Sequence, residues 1–215
     1  MQDLCGGGAT DRSIAPDARL GSNRSDVDSQ PAPWAEFREG GHFFEGNLEA
    51  WRGLEQAYEA GKLRAIGVSN FERADLDNLI DNGIVKPMVN QVLAHVGNTP
   101  FDLIDYSRSK GILVEAYSPV AHGALLNNET VGALAEKYGL SIAQLCIRYC
   151  LELGLLPLPK TANAVHMKAN TASDFSISDV DIETLKQLNE TDYGAASALP
   201  VFGKSRRPDN AETEN

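Results

Sequence analysis

Four places in the sequence set polar groups able to grip a ligand at the end of a short apolar run. They are Ser69-Asn70, Asn90-Gln91, Tyr117-Ser118 and Lys160-Thr161. The carboxamides of Asn and Gln donate and accept hydrogen bonds at once, so they can hold an amide in both directions. The Tyr117 ring can stack on a flat ring. Lys160 and Thr161 stand just before a predicted helix start, where free backbone N–H groups and the helix dipole favour an anion such as phosphate. Taken singly, each has a plainer role. Asn70 caps a helix, Gln91 ties loops together, and Lys160 is a solvated charge. Recurrence at equivalent places is what points to a ligand.

The elements that must position these groups are short strands alternating with helical patterns. Lys62–Phe71 (KLRAIGVSNF) supplies a buried strand through Leu63, Ile66 and Val68, with Gly67 admitting another backbone closely. The run stops at Ser69-Asn70, polar residues that favour turns over strand interiors. Before it, Trp51, Leu54, Ala57 and Tyr58 share one helical face ended by Gly61; after it, Leu76, Leu79 and Ile80 mark a second helix ended by Gly83. Pro87–Val92 and Ile112–Pro119 read as further strands, and Leu155–Lys160 as a fourth. Between the second and third, Thr99 is expected to cap a helix with Pro100 at its first position. Ser141 with Gln144 reads as a capping box opening a long apolar helix. Helices from about Ala164 and from Ser178 complete the regular part. The fold class is therefore α/β, with a helix followed by about four strand–helix units. That is half of an eight-unit barrel, which needs about 250 residues, or else an open parallel sheet. In either layout all four strand ends face the same way. An amide grip, a ring to stack on and a phosphate site in one groove describe a nicotinamide dinucleotide.

Residues 1–46 are of another kind, rich in Gly, Ser, Asp, Pro and Arg and almost without apolar periodicity until Trp34–Phe44. They read as an irregular, disordered segment, and Gly6-Gly7-Gly8, with no strand before it, as linker rather than phosphate loop. Residues 47–204 form the folded domain, and 205–215 a flexible tail. A formal net charge of −11 over 215 residues argues against nucleic acid and anionic membrane as partners. No window resembles a membrane span or signal peptide. Of three cysteines, Cys146 and Cys150 lie four apart in an apolar helical pattern and read as core thiols, with a metal pair the lesser alternative. A reducing, cytoplasmic setting follows.

The motifs GVSNF (67–71), VNQV (89–92), EAYSPVAHG (115–123), AQLCIRYCLELG (143–154) and LPKTAN (158–163) occur in the order and spacing of the C-terminal half of aldo-keto reductases. The chain resembles that family from about Glu49 to Lys204. Its Asp192-Tyr193-Gly194 and Pro200–Gly203 resemble the ending of the microbial-type carbonyl and diketogulonate reductases. The resemblance implies a partial (β/α)8 TIM barrel, NADPH as cofactor and aldehydes or ketones as substrates. It further implies that Ser69, Asn70 and Gln91 hold the nicotinamide carboxamide while Tyr117 stacks on the ring. Ser118, Val120, Gly123 and Leu125 would line the pyrophosphate, and Lys160 and Thr161 the 2′-phosphate. His166, where the family usually has arginine, and Asn170 would contact the adenine; Ala169 replaces the usual acidic neighbour. His95 falls at a structural position, not at the catalytic histidine.

The same resemblance implies that the reaction's tyrosine acid, lysine, aspartate and histidine lie on strands one to four, and none of those strands is legible here. Residues 1–46 contain no lysine. Tyr58, Tyr106 and Tyr138 fall in helical patterns and read as packing residues. The chain is thus expected to be truncated and impaired in catalysis, a task to which proton transfer contributes roughly 10²–10⁴-fold. The alternatives are a non-catalytic half-barrel module for nucleotide binding or assembly, or a fragment without stable function. Two open strand edges and an apolar face would drive dimerisation, recruitment of another subunit or aggregation, or leave the chain partly folded.

Overall fold

A computed structural model of the protein describes residues 42–172, 174–194 and 197, together with the backbone of 25–28. Gly6–Gly8, Pro200–Gly203 and the tail 205–215, singled out in the sequence, lie outside the described residues. The elements run β1 (Ser25–Asp28), α1 (Phe44–Glu59), β2 (Ala65–Ser69), α2 (Arg73–Asn82), β3 (Val89–Leu93), α3 (Phe101–Ser109) and β4 (Leu113–Tyr117). A 3-10 segment (Ala121–Asn127) and α4 (Glu129–Lys137) follow, then α5 (Ile142–Glu152), β5 (Leu156–Leu158), α6 (Ala164–Asn170) and α7 (Asp179–Lys186). The described strands form one parallel sheet in the order β1-β2-β3-β4-β5.

The α/β reading and the four strand–helix units hold. One difference is β1, which pairs with β2 from Ser25↔Ala65 to Asp28↔Val68, inside the stretch expected to be irregular. Its four residues, SDVD, include a single apolar side chain, so no period-two signal exists to be read. Helix α1 also begins at Phe44, three residues before the expected start of the regular chain.

Two apolar clusters cover the helix side of the sheet. Ile66 and Val68 of β2 pack with Trp51 of α1 and with Phe71, Leu76 and Leu79 around α2. Val92, Val114 and Ala116 pack with Leu145, Cys146, Tyr149 and Cys150 of α5. Both thiols are buried, and burial pushes the Cys150 thiol up to about 12, as befits core side chains. Polar links pin these layers together. Trp51 Nε1 donates to the Val85 carbonyl (2.8 Å), and buried Glu55 accepts from the Ile84 and Val85 N–H groups (2.6 and 2.7 Å). At Gly67 an added Cβ would meet the Val89 carbonyl oxygen at 2.7 Å, so the close approach of β2 to β3 requires glycine.

The capping box Ser141–Gln144 opens α5 as expected. The Thr99 cap does not form. Its hydroxyl donates to the His95 carbonyl (2.8 Å) and meets the Tyr149 hydroxyl (3.0 Å), and Pro100 occupies the cap position of α3. Nor does Asn70 cap α2: Glu72 stands at that cap, and the Asp75 carboxylate accepts from the Glu72 N–H (3.1 Å). The buried His95 is bonded through Nδ1 to the Val96 carbonyl (2.7 Å) and through Nε2 to the Tyr193 hydroxyl (3.0 Å).

The opposite side of the sheet is open. Register places Val89 beside Leu113, Gln91 beside Glu115 with Leu156 beyond it on β5, and Leu93 beside Tyr117 with Leu158 beyond it. On this face Leu113, Leu156 and Leu158 are 46%, 43% and 37% exposed.

Candidate functional site

The C-terminal ends of β2, β3 and β4 meet through hydrogen bonds between the residues singled out above. Ser69 and Gln91 are register partners, and the Ser69 hydroxyl donates to the Gln91 carbonyl (3.0 Å). The Asn70 N–H donates to that same carbonyl (2.8 Å), and Asn70 Nδ2 to Ser69 Oγ (3.2 Å). From β4, the Tyr117 hydroxyl reaches across to donate to Asn70 Oδ1 (2.8 Å). Gln91 Nε2 donates to the carboxylate of Glu115, two residues before Tyr117 (2.9 Å). Ser69 is buried, while Asn70, Gln91 and Tyr117 are half-buried, so the set is held firmly yet reaches the surface.

Backbone conformation marks the same places. Among the described residues, the non-glycine positions with positive φ are Asn70 (59°) and Ser118 (54°), immediately beyond β2 and β4, and Ala121 (50°) and His122 (52°), at the start of the 3-10 segment that follows β4. The left-handed region costs an L-residue about 1–2 kcal/mol, though Asn tolerates it better than most. Such strain persists where the surroundings over-determine it, commonly at ligand sites. Here it turns the chain away from the sheet edge and keeps the Asn70 carboxamide between Ser69 and Tyr117.

Beyond β4 the loop carries Ser118, Val120, Gly123 and Leu125. Ser118 Oγ lies 3.1 Å from His122 Nε2, and the Gly123 N–H donates to the Val120 carbonyl (2.8 Å) with Gly123 at φ 95°. Leu125 is fully buried, so only its backbone could face a ligand. The β5 side is built differently. Lys160 is exposed and Thr161 half-buried. The Asn163 N–H donates to Thr161 Oγ1 (3.1 Å), and Asn163 Oδ1 accepts from the Val165 N–H (2.8 Å) to cap α6. Two of the N–H groups expected to be free there are therefore occupied. His166 and Asn170 lie four apart, on one face of α6, which is tied to α5 by Gln144 Nε2 donating to the Ala169 carbonyl (3.2 Å). No hydrogen bond among those described links this group to the Ser69–Tyr117 set.

Sequence reasoning missed Glu115. A charged residue inside an apolar strand, two before Tyr117 and hence on its face, is the signal that could have found it. Two surface concavities lie elsewhere, one lined by His42, Phe44 and Glu49 near the start of α1, the other against α7 at Val180, Glu183 and Gln187. The three tyrosines read as packing residues have such roles. The Tyr106 hydroxyl bonds Asp77 and its ring lies under Arg73, Tyr138 bonds Asp181, and Tyr58 packs against the α1–α2 cluster.

What this arrangement can do is hold a flat ring against Tyr117 and an amide between Asn70 and Gln91. Comparison with known proteins bears on that chemistry. A sequence model of the Aldo/keto reductase family matches residues 26–190, a stretch that takes in β1 from Asp26 onward. Glyoxal reductase of Bacillus subtilis is 41% identical over 143 residues, covering 66% of this chain and 52% of that protein. The chain spans about half the length of the curated relatives it matches. Among solved structures, an aldo-keto reductase from a Medee basin deep-sea metagenome library superposes with a TM-score of 0.69 at 32% identity, covering 79% of this chain and 61% of that one. A Bombyx mori aldo-keto reductase in complex with NADP does so with a TM-score of 0.63 at 33% identity, over 66% of this chain and 50% of its own. The parallel strands and alternating helices described above match this TIM-barrel architecture, and the chain belongs to the aldo/keto reductase family.

Proposed function

We propose that this chain is the C-terminal, nucleotide-holding half of an NADPH-dependent reductase of aldehydes and ketones, of the microbial-type carbonyl and diketogulonate reductase kind. The observation that carries the reading is the bonded set Ser69–Asn70–Gln91–Tyr117 at three adjacent strand ends. Its residues fit the cofactor: Tyr117's ring is held in orientation by its bond to Asn70, and Asn70 and Gln91 offer carboxamides beside it. When bound, NADPH supplies the hydride for carbonyl reduction. Ser69, Asn70 and Gln91 hold the carboxamide and Tyr117 covers one ring face. Ser118, Val120, Gly123 and the Leu125 backbone line the pyrophosphate; Lys160 and Thr161 take the 2′-phosphate, and His166 and Asn170 the adenine. On this reading turnover by the chain alone is weak, because the proton-donating set belongs to strands not legible in it. Its thiol-bearing core suits a cytoplasmic setting. No helix among the described residues is long and apolar enough to cross a membrane.

A second reading, a non-catalytic half-barrel module that assembles with another subunit or a second copy, is favoured by the exposed leucines 113, 156 and 158 on the open sheet face. Fluorescence titration of the purified chain with NADPH and NADH, alongside Lys160→Ala, tests the first. NADPH binds more tightly than NADH, and the variant loses that preference. If soluble, folded chain binds neither nucleotide, the cofactor assignment is wrong. Binding without carbonyl turnover, by chain that also self-associates in solution, supports the module.

A further inference from the structure

We propose that Glu115 is a positioning residue: it fixes the Gln91 amide with its oxygen toward the ligand, so that the strand ends select a ring bearing an N–H donor. This inference rests on the nucleotide reading above and adds to it a residue and a direction of hydrogen bonding.

The argument begins from register. Gln91 and Glu115 are partners across β3 and β4, so their side chains rise side by side on the open face. Gln91 Nε2 lies 2.9 Å from Glu115 Oε2. An ionised carboxylate only accepts, so it must face the amide NH2 and never the amide oxygen. Being charge-assisted, this bond is also stronger than one between neutral partners. A glutamine without such a neighbour can present either end of its amide; this one is held, with Oε1 turned away from Glu115.

The rest of the set is polarised in the same manner. Tyr117 O–H donates to Asn70 Oδ1, Asn70 Nδ2 donates to Ser69 Oγ, and Ser69 O–H donates to the Gln91 carbonyl. Once Tyr117 takes the Asn70 oxygen, the second Asn70 amide hydrogen remains a donor. Gln91 Oε1 remains an acceptor. A donor at the end of β2 and an acceptor at the adjacent end of β3 complement a primary carboxamide, whose carbonyl and NH2 are both then satisfied. A ring carrying a plain ketone in that place would satisfy Asn70 and leave Gln91 Oε1 without a donor.

The test compares NADPH with its reduced 3-acetylpyridine analogue, in which an acetyl group replaces the carboxamide, and with 2′,5′-ADP, which lacks the ring. Calorimetric titrations use the full chain as wild type, Glu115→Gln and Glu115→Ala. The wild type prefers NADPH over the analogue by roughly five- to tenfold, the worth of one hydrogen bond. Glu115→Ala brings that ratio close to one, and the isosteric Glu115→Gln, which can accept but also flip, falls between. All three bind 2′,5′-ADP alike, a result that a general folding defect does not give. The inference is overturned if Glu115→Ala keeps the wild-type ratio, or if it weakens 2′,5′-ADP as much as NADPH. Wild-type chain that binds 2′,5′-ADP but shows no preference between the two dinucleotides overturns the inference alone. Wild-type chain that binds none of the three ligands overturns the nucleotide reading and the inference with it.

Discussion

The ends of β2, β3 and β4 and the turn after β5 are both lined with ligand-type side chains, yet they are built on opposite plans. At the first, Ser69, Asn70, Gln91, Glu115 and Tyr117 hold one another across three strands before any ligand arrives. At the second, Lys160 stands exposed, and Thr161 and Asn163 are occupied with the backbone of their own loop. Recognition of a flat ring and its amide needs fixed geometry, because hydrogen bonds and stacking fall off steeply with angle and distance. Recognition of a phosphate needs charge, which tolerates a mobile side chain. The contrast therefore predicts that the strand-end set depends on the sheet, and the β5 turn on the surface alone.

The largest expected effect comes from breaking the sheet beneath the bonded set. Gly67→Val places a Cβ 2.7 Å from the Val89 carbonyl oxygen and forces β2 from β3. A loss of about 1–3 kcal/mol is expected by urea denaturation, together with loss of NADPH binding. A smaller effect attends the β5 turn. Lys160→Ala leaves the urea midpoint unchanged, because its side chain is exposed, while its NADPH affinity falls and becomes less sensitive to salt. Should Lys160→Ala destabilise the fold as Gly67→Val does, the contrast between the two regions fails.

The smallest effect lies away from both. Asp181, at the start of α7, accepts from Lys137 Nζ (2.7 Å), and also from Tyr138 and Ser178. These hydrogen bonds, Lys137 first among them, hold its carboxyl down at about 2 from an ordinary 3.8. A carboxyl depressed in the folded state adds stability above its unfolded value and loses it as the pH falls through the folded one. That part of the stability should therefore fade between about pH 4 and pH 2, and Asp181→Asn should remove it. Urea midpoints collected across that range check this. A wild type and a variant with parallel pH profiles would show that the cluster contributes nothing.

How far the sequence could be read follows from the range of the interactions concerned. Gly67, the Ser69-Asn70 stop and the Ser141–Gln144 box are local signals, visible in a window of a few residues, and the structure shows all three. Thr99 does not cap α3 because its hydroxyl is taken by the His95 carbonyl just behind it and by Tyr149, fifty residues away on α5. β1 carries too few apolar side chains to show a period, and only its pairing with β2 defines it. The spacing of Glu115 within β4 marks only that it shares the face of Tyr117; its partner, Gln91, is set by register with β3. Leu125 could be placed at the pyrophosphate only by its backbone, since the 3-10 segment after β4 turns its side chain into the core, which sequence alone does not show.

The central claim is that the Ser69–Tyr117 set is a nicotinamide site, and calorimetric titration of Tyr117→Ala with NADPH and with 2′,5′-ADP tests it most directly. Stacking on one aromatic face is worth about 1–3 kcal/mol by analogy with bases on aromatic platforms. The variant should therefore bind NADPH roughly tenfold or more weakly while binding 2′,5′-ADP as the wild type does. Equal affinity for NADPH in both proteins, with the fold intact, would contradict the assignment.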